Sequence, residues 1–447
     1  MYKKIIEKLK NKKIAILGFG KEGKSTYRFI RKYLDQQITI LDQKDFEIED
    51  DNIIKITGQD YLKNLEQYDL IIKSPGISLK DIDTKDISKK ITSQLELLLE
   101  VNNKNMIGIT GTKGKSTTST LLYEVIKNQN KNTYLIGNIG TPVLDEIENY
   151  NNESILVVEM SSHQLEYINV SPHIGIILNL YEDHLDHAGT LEHYFQNKMN
   201  MFKYQDKTDY AIYSSDDKNL NALVKKCNYH GIRHTIRFDN EETGKNTTRI
   251  KDKNIYIDNE LVYTDDERLI IGNHNLKNIM FVLTVIKYLN LDLEKAHNVI
   301  RKFKGLKYRM EYITTQNDIK YYNDTIATIP EATINAIEAI KDVDTLIFGG
   351  LDRKISYKDF IDYLKKSNIN NFICMPTTGT IIGKELEKTD KNILYAKSLE
   401  EAYELSKNYT KKGMSCLLSP AAASYEFFKN FEEKGKAFEE IIRNDKN

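Results

Sequence analysis

Asn105–Thr117 reads Asn-Met-Ile-Gly-Ile-Thr-Gly-Thr-Lys-Gly-Lys-Ser-Thr, and the fold follows from how that stretch has to be built. Met106 to Ile109 is an apolar run of the length of a buried strand. Gly111 and Gly114 bracket a tight turn, and Lys115-Ser-Thr117 opens a segment with helical period. A strand, a glycine turn and a helix in that order give a parallel α/β sheet a place to hold a phosphate. The unsatisfied amides of the first helical turn and the positive end of the helix dipole meet at one spot. Lys115 is then placed to reach terminal phosphates, and Ser116 or Thr117 to bind Mg²⁺. The strict pattern GxxxxGK[ST] is missed by one position, because Ile109 stands where its first glycine belongs.

A second loop lies upstream. Lys13-Ile-Ala-Ile-Leu17 runs into Gly18-Phe-Gly-Lys-Glu-Gly23-Lys24-Ser25, which satisfies both the dinucleotide pattern GxGxxG and the P-loop pattern. Asp42 stands 42 − 23 = 19 residues past Gly23, at the end of the apolar run Ile38–Leu41, where a ribose-binding carboxylate belongs. Taken alone, this half reads as an NAD-dependent oxidoreductase. Two phosphate cradles in one chain fit two phosphorylated ligands better than one dinucleotide.

Outward from the loops the same alternation recurs. Asp69–Lys73, Ile155–Val158, Ile174–Leu178, Thr345–Phe348 and Cys416–Leu418 read as buried strands separated by helix-period segments, which favours open parallel α/β sheets. Near residue 230 the texture changes. Arg249–Asp258 and Leu261–Thr264 read as a short hairpin, and Leu276, Ile279, Met280, Leu283 and Ile286 mark an amphipathic helix. A further α/β block starts near Gly305. At 447 residues the chain is long enough for about three domains.

Lys+Arg 64 against Asp+Glu 65 argues against a protein that grips nucleic-acid backbones by bulk charge. A hydrophobic share of 40% with 29% charged residues excludes a disordered chain and a membrane-spanning one. Cys227, Cys374 and Cys416 form no CxxC pair, so neither a disulfide framework nor a zinc site is expected. The first residues hold no signal-length apolar stretch, and the cytoplasm is the expected compartment.

Strand ends are where such a sheet presents hard oxygen ligands for a metal–nucleotide. Glu159 closes Ile155–Val158, and His184 falls in the polar cluster after Ile174–Leu178; position raises both above the other histidines, which read as structural. Lys198, on its own pattern, reads as a solvated helix residue.

The chain resembles the Mur ligases of bacterial peptidoglycan synthesis. The resemblance rests on Gly18–Ser25, Ser74-Pro-Gly-Ile-Ser78, Thr110–Thr117, Gly137-Asn-Ile-Gly140, Glu159-Met-Ser-Ser-His-Gln164 and Glu182-Asp-His-Leu-Asp186. It continues through Gly272-Asn-His-Asn-Leu-Lys-Asn278, Tyr308-Arg-Met-Glu311, Asn323-Asp324 and Leu418-Ser-Pro-Ala-Ala-Ala-Ser424. It implies three α/β domains: a Rossmann-like UDP-sugar-binding domain over 1–98, a central P-loop ATPase-like domain over 99–303, and a Rossmann-like C-terminal domain over 304–447. The activity implied is the ATP-dependent joining of glutamate to UDP-N-acetylmuramoyl-L-alanine through an acyl phosphate, by a monomer that binds neither nucleic acid nor membrane.

The resemblance also implies site roles. Gly18, Gly20, Gly23, Ser25, Asp42, Gly76 and Asn138 are expected at the nucleotide-sugar. Gly111, Thr112, Lys113, Gly114, Lys115, Ser116 and Thr117 are expected at ATP, with Asn275, Arg309 and Asp324. Ser116, Thr117, Glu159 and His184 are expected as Mg²⁺ ligands, and Lys198 as a carbamylated lysine whose CO2-derived carbamate adds an anionic oxygen ligand. Lys115, Glu159, His184 and Lys198 would carry the chemistry. ATP is expected between the last two domains, whose closure would exclude water.

Ser424 and Phe431 match positions that hold the incoming glutamate. The chain departs from the family where a lysine usually follows Asp-Ser: here Asn323–Pro330 carries Ile326, and Arg353 or Lys354 is expected to supply the cation. D-glutamate is the expected substrate, with L-glutamate the alternative that this departure keeps open. A folylpolyglutamate-synthetase-like enzyme shares the central domain but is not expected to carry the Gly18–Ser25 loop.

Overall fold

The computed structural model describes residues 2–181, 190–238, 244–265, 268–270, 272–352, 356–424 and 427–445. They form two compact units, residues 1–267 with 273–301, and residues 268–272 with 302–447.

The first unit holds two sheets. Strands β1 (Ile14–Leu17), β2 (Ile38–Asp42), β3 (Ile53–Thr57), β4 (Leu70–Lys73) and β5 (Ile91–Thr92) pair in the order β3-β2-β1-β4-β5, all parallel. The order reverses at β1, so the loop leaving β1 opens at the crevice where such sheets take ligands. β1 is buried on every residue, which is why it reads as a continuous apolar run. β3, an edge strand with a part-exposed face, left no such run to read.

The second sheet comprises β6 (Met106–Thr110), β7 (Thr133–Gly137), β8 (Ile155–Glu159), β9 (Ile174–Ile177), β10 (Tyr210–Ser214), β11 (Ile232–Arg237), β12 (Thr247–Lys251), β13 (Asn254–Ile257) and β14 (Glu260–Thr264). Its order is β14-β13-β12-β11-β10-β9-β6-β8-β7. β7 through β12 are parallel, and β12-β13-β14 form an antiparallel meander. The expected strand over Arg249–Asp258 is therefore two strands. Asp252, at φ +56°, turns the chain between them, and Asp258-Asn259, at φ +53° and +68°, forms the two-residue turn that favours hairpins. Ile14, Ile16, Ile38, Leu98, Leu156 and Val158 belong to one continuous core, so the two sheets share their packing.

The second unit carries β15 (Glu311–Gln316), β16 (Ile319–Asn323), β17 (Val343–Gly350), β18 (Asn371–Thr377), β19 (Asn392–Tyr395) and β20 (Ser415–Leu418), in the order β15-β16-β20-β17-β18-β19. Only β15 runs antiparallel to its neighbour. No helix among the described residues is long and apolar enough to cross a membrane.

Candidate active site

The loop after β6 is held from the neighbouring strand end. Asn179, two residues past β9, accepts the amides of Thr112 and Lys113 on Oδ1 at 3.0 and 2.9 Å and donates Nδ2 to the Lys113 carbonyl at 2.9 Å. Thr112 Oγ1 donates to the Tyr181 carbonyl at 3.1 Å and lies 3.3 Å from the Tyr194 hydroxyl. Gly111 sits at φ +154° and Gly114 at φ +86°, and a Cβ on Gly114 would stand 2.9 Å from Asn278 Oδ1. Only glycine fits there. The helix Lys115–Gln129 has no acid in its first turn, so its dipole faces the loop unopposed. Lys115 bends back and donates Nζ to the Gly111 and Thr112 carbonyls at 2.9 Å each, which sets its ammonium over the cradle.

Glu159 ends β8 beside Ile109 of β6 and is 1% exposed. Oε1 accepts Asn138 Nδ2 at 2.7 Å, whereas Oε2 is buried with no hydrogen-bond partner. A buried carboxylate oxygen left unsatisfied is costly unless a cation faces it. That oxygen fits a hard divalent ion. Among the described residues no three His, Cys, Asp or Glu side chains gather to hold a metal. His184 lies outside the described residues. Asn138, expected at the nucleotide-sugar, stands at the Glu159 carboxylate.

Lys198 corrects its own reading. It is 1% exposed on the helix Leu191–Lys203, donates Nζ to the Gly111 carbonyl at 3.0 Å and to Thr110 Oγ1 at 3.3 Å, and lies 4.8 Å from the Tyr194 ring centre. The polar letters around it hid a helix whose Tyr194, Phe195, Asn197, Met199, Met201 and Phe202 are all buried. Asn179 and Tyr194 are the residues here that sequence reasoning passed over; the signal for Asn179 was a polar residue at the end of a buried strand.

The first loop is built differently. Gly18 is at φ +89° against Ile77 and Ser74, and a Cβ on Gly23 would lie 1.9 Å from the Gly18 carbonyl oxygen. Gly20 faces open space, as does Gly76. Asp42 accepts the Phe19 amide at 2.6 Å and the Lys44 amide at 2.8 Å, so its carboxylate closes the loop itself. Ser25 is wholly buried, and its hydroxyl has no hydrogen-bond partner. Glu22, in the helix's first turn, accepts Gln164 Nε2 at 2.8 Å. Gln164 also completes the capping box of the short helix that follows Glu159, joining the first loop to the second sheet. Beside it the buried Lys73 pairs with Glu166 at 3.6 Å. Burial lowers the Lys73 pKa against the pull of Glu166, and burial raises that of Glu22.

Asn275 lies on the helix Asn273–Tyr288, where Asn278 Nδ2 donates to its Oδ1 at 3.2 Å. In the second unit, Arg309 stands between Tyr308 and Met310, both in the left-handed region at φ +64° and +46°. Asp324, buried, holds that turn by accepting the Met310 amide at 3.1 Å and the Ser419 hydroxyl at 2.7 Å. Burial pushes its pKa up to about 7. Ser424 is buried, and Phe431 opens the helix Phe431–Asn444 with its ring edge-on to Tyr308. Arg353 and Lys354 lie outside the described residues.

A glycine loop, a lysine over it and a buried strand-end carboxylate define a P-loop α/β protein, preceded by a second glycine-loop sheet. Residues 109–286 match the Mur ligase middle domain, and residues 308–422 the Mur ligase glutamate ligase domain. The UDP-N-acetylmuramoylalanine–D-glutamate ligase of Clostridioides difficile (strain 630) is 32% identical over 98% of this chain and 99% of its own. The ligase of that name from Clostridium botulinum (strain Loch Maree / Type A3) is 31% identical over 99% of this chain and 98% of its own. The chain belongs to the Mur ligase family. Its fold is also that of the Thermotoga maritima MurF ligase solved with ADP, at TM-score 0.57 and 18% identity over 96% of this chain and 95% of that one. Nothing in these likenesses supports an oxidoreductase.

Proposed function

We propose that the chain joins D-glutamate to UDP-N-acetylmuramoyl-L-alanine at the expense of ATP, in the making of peptidoglycan precursor. The observation that carries this reading is similarity along the whole chain to ligases whose name states that acceptor and that amino acid. The three proposed functional divisions are 1–98 for the nucleotide-sugar, 99–303 for ATP and 304–447 for the amino acid.

A carboxylate is a poor electrophile, so the acceptor's L-alanyl carboxylate first takes the γ-phosphoryl group of ATP. The amides that open the helix Lys115–Gln129 and the Lys115 ammonium neutralise the group in transfer. Glu159, Ser116 or Thr117 and His184 would hold Mg²⁺, which would supply charge neutralisation to the same group. Asn138 orients Glu159 through its 2.7 Å hydrogen bond. The amine of glutamate then attacks the acyl carbon, and phosphate leaves. Lys198, modified or not, sits where its nitrogen fixes the Gly111 carbonyl. Carbamylation is part of the proposal, and Lys198→Ala with unchanged activity would remove it.

The test is phosphate release from ATP with UDP-N-acetylmuramoyl-L-alanine and either enantiomer of glutamate. Release with D-glutamate alone is expected. Release with L-glutamate alone would move the amino-acid assignment and leave the rest, whereas release with neither would overturn the acceptor.

A further inference from the structure

Glu22 is an unexpected residue at a phosphate loop. An acid in the first turn of the helix Lys21–Tyr33 suits the helix dipole, yet a diphosphate brought to the amides of that turn is repelled by it. Its side chain reaches instead across to the second sheet, where Oε1 accepts Gln164 Nε2 at 2.8 Å. The Glu22 backbone is anchored as well, its carbonyl accepting Nε2 of the buried Gln94 at 2.8 Å.

Gln164 uses its other end to close a capping box. Its Oε1 accepts the Ser161 amide at 3.0 Å, and Ser161 Oγ accepts the Gln164 amide at 3.2 Å. Ser161 follows Glu159 by two residues, and the Met160 amide between them donates to the Ile109 carbonyl at 2.9 Å. Lys21, the neighbour of Glu22, reaches the other flank of Glu159. Its Nζ donates to the Gly140 carbonyl at 3.1 Å, in the loop whose Asn138 donates its amide to the Glu159 carbonyl at 2.9 Å and Nδ2 to Oε1 at 2.7 Å. Two consecutive residues at the start of the first loop's helix therefore hold the two segments that flank the carboxylate of the second site.

We propose that Glu22 is a positioning residue that couples the two loops. A diphosphate at the first helix start presses the Glu22 carboxylate onto Gln164, and the capping box passes that constraint to the strand end carrying Glu159. Acceptor and ATP then each tighten the other's binding, by the same factor in both directions. The inference rests on the ligase reading above, which supplies the two ligands.

The experiment is calorimetry of a β,γ-methylene analogue of ATP, at fixed Mg²⁺, with and without saturating UDP-N-acetylmuramoyl-L-alanine. The ratio of the two Kd values is the coupling, and about fivefold or more is expected in the wild type. Gln164→Glu keeps the capping box, which glutamate serves as well as glutamine does, but sets two carboxylates against each other where the 2.8 Å bond stood. The ratio should fall to within about twofold of one. Adding Glu22→Gln restores the bond with donor and acceptor exchanged, and the coupling should return. A merely structural fault weakens both titrations and leaves their ratio alone. A ratio unchanged in Gln164→Glu, a double variant no better than the single, or a wild-type ratio of one overturns the proposal. Should Gln164→Glu not fold, Glu22→Ala decides: a ratio within about twofold of one is expected, and an unchanged ratio overturns the proposal. A wild type that does not bind UDP-N-acetylmuramoyl-L-alanine removes the ligase reading itself, which is a different result from binding both ligands without coupling.

Discussion

The two glycine loops share a strand–turn–helix frame and differ in what already occupies their amides. In the first, Asp42 takes the Phe19 amide and Glu22 brings an acid into the first helical turn. In the second, a neutral side chain, Asn179, takes the Thr112 and Lys113 amides, the first turn has no acid, and Lys115 stands over the loop. Glu159 and Lys198 crowd the second loop alone. On the proposed function, the same local motif serves two ends. The first loop, half-neutralised by its own carboxylates, is suited to holding a ligand that does not react there. The second has the cations and the unsatisfied carboxylate oxygen that a transferring phosphoryl group requires.

The sharpest way to break this contrast is Lys115→Met. It should lower phosphate release about a thousandfold or more while the thermal transition stays in place, because the lysine's role is electrostatic. Activity within tenfold of wild type would contradict the division of labour. Glu159→Gln comes next: a roughly 100-fold loss is expected, and excess Mg²⁺ should recover part of it if the lost oxygen is a metal ligand.

Gly23→Ala tests the first loop's framework. A Cβ 1.9 Å from the Gly18 carbonyl oxygen forces the helix off the strand, and a loss of about 2 kcal/mol or more is expected in denaturant unfolding. Gly20→Ala, with nothing within 4 Å, is the control and should stay within about 1 kcal/mol. Asp42→Asn is the mildest change. It keeps one acceptor for the Phe19 amide and weakens the loop by about 1 kcal/mol, raising the acceptor KM a few-fold and leaving that of ATP unchanged.

What could be read in advance was whatever one stretch of chain carries by itself. Continuous apolar runs announced the buried strands β1, β6 and β8, and the glycines announced both turns. The meander at β12–β14 reads from sequence as one hairpin because the Asp252 turn sits inside a polar stretch that carries no glycine or proline to mark it. Asn179 and the burial of Lys198 escaped because each depends on a partner distant in sequence: residues 112–113 and Thr110–Gly111. A lysine among polar letters looks solvated until the fold supplies the carbonyl it faces.

The central claim, one loop for the acceptor and one for ATP, is tested most directly by titrating each ligand separately against wild type, Asp42→Asn and Lys115→Met by calorimetry. The account predicts a crossed result, with Asp42→Asn weakening UDP-N-acetylmuramoyl-L-alanine alone and Lys115→Met weakening ATP alone. Both variants losing both ligands, or either losing the other's, would contradict it.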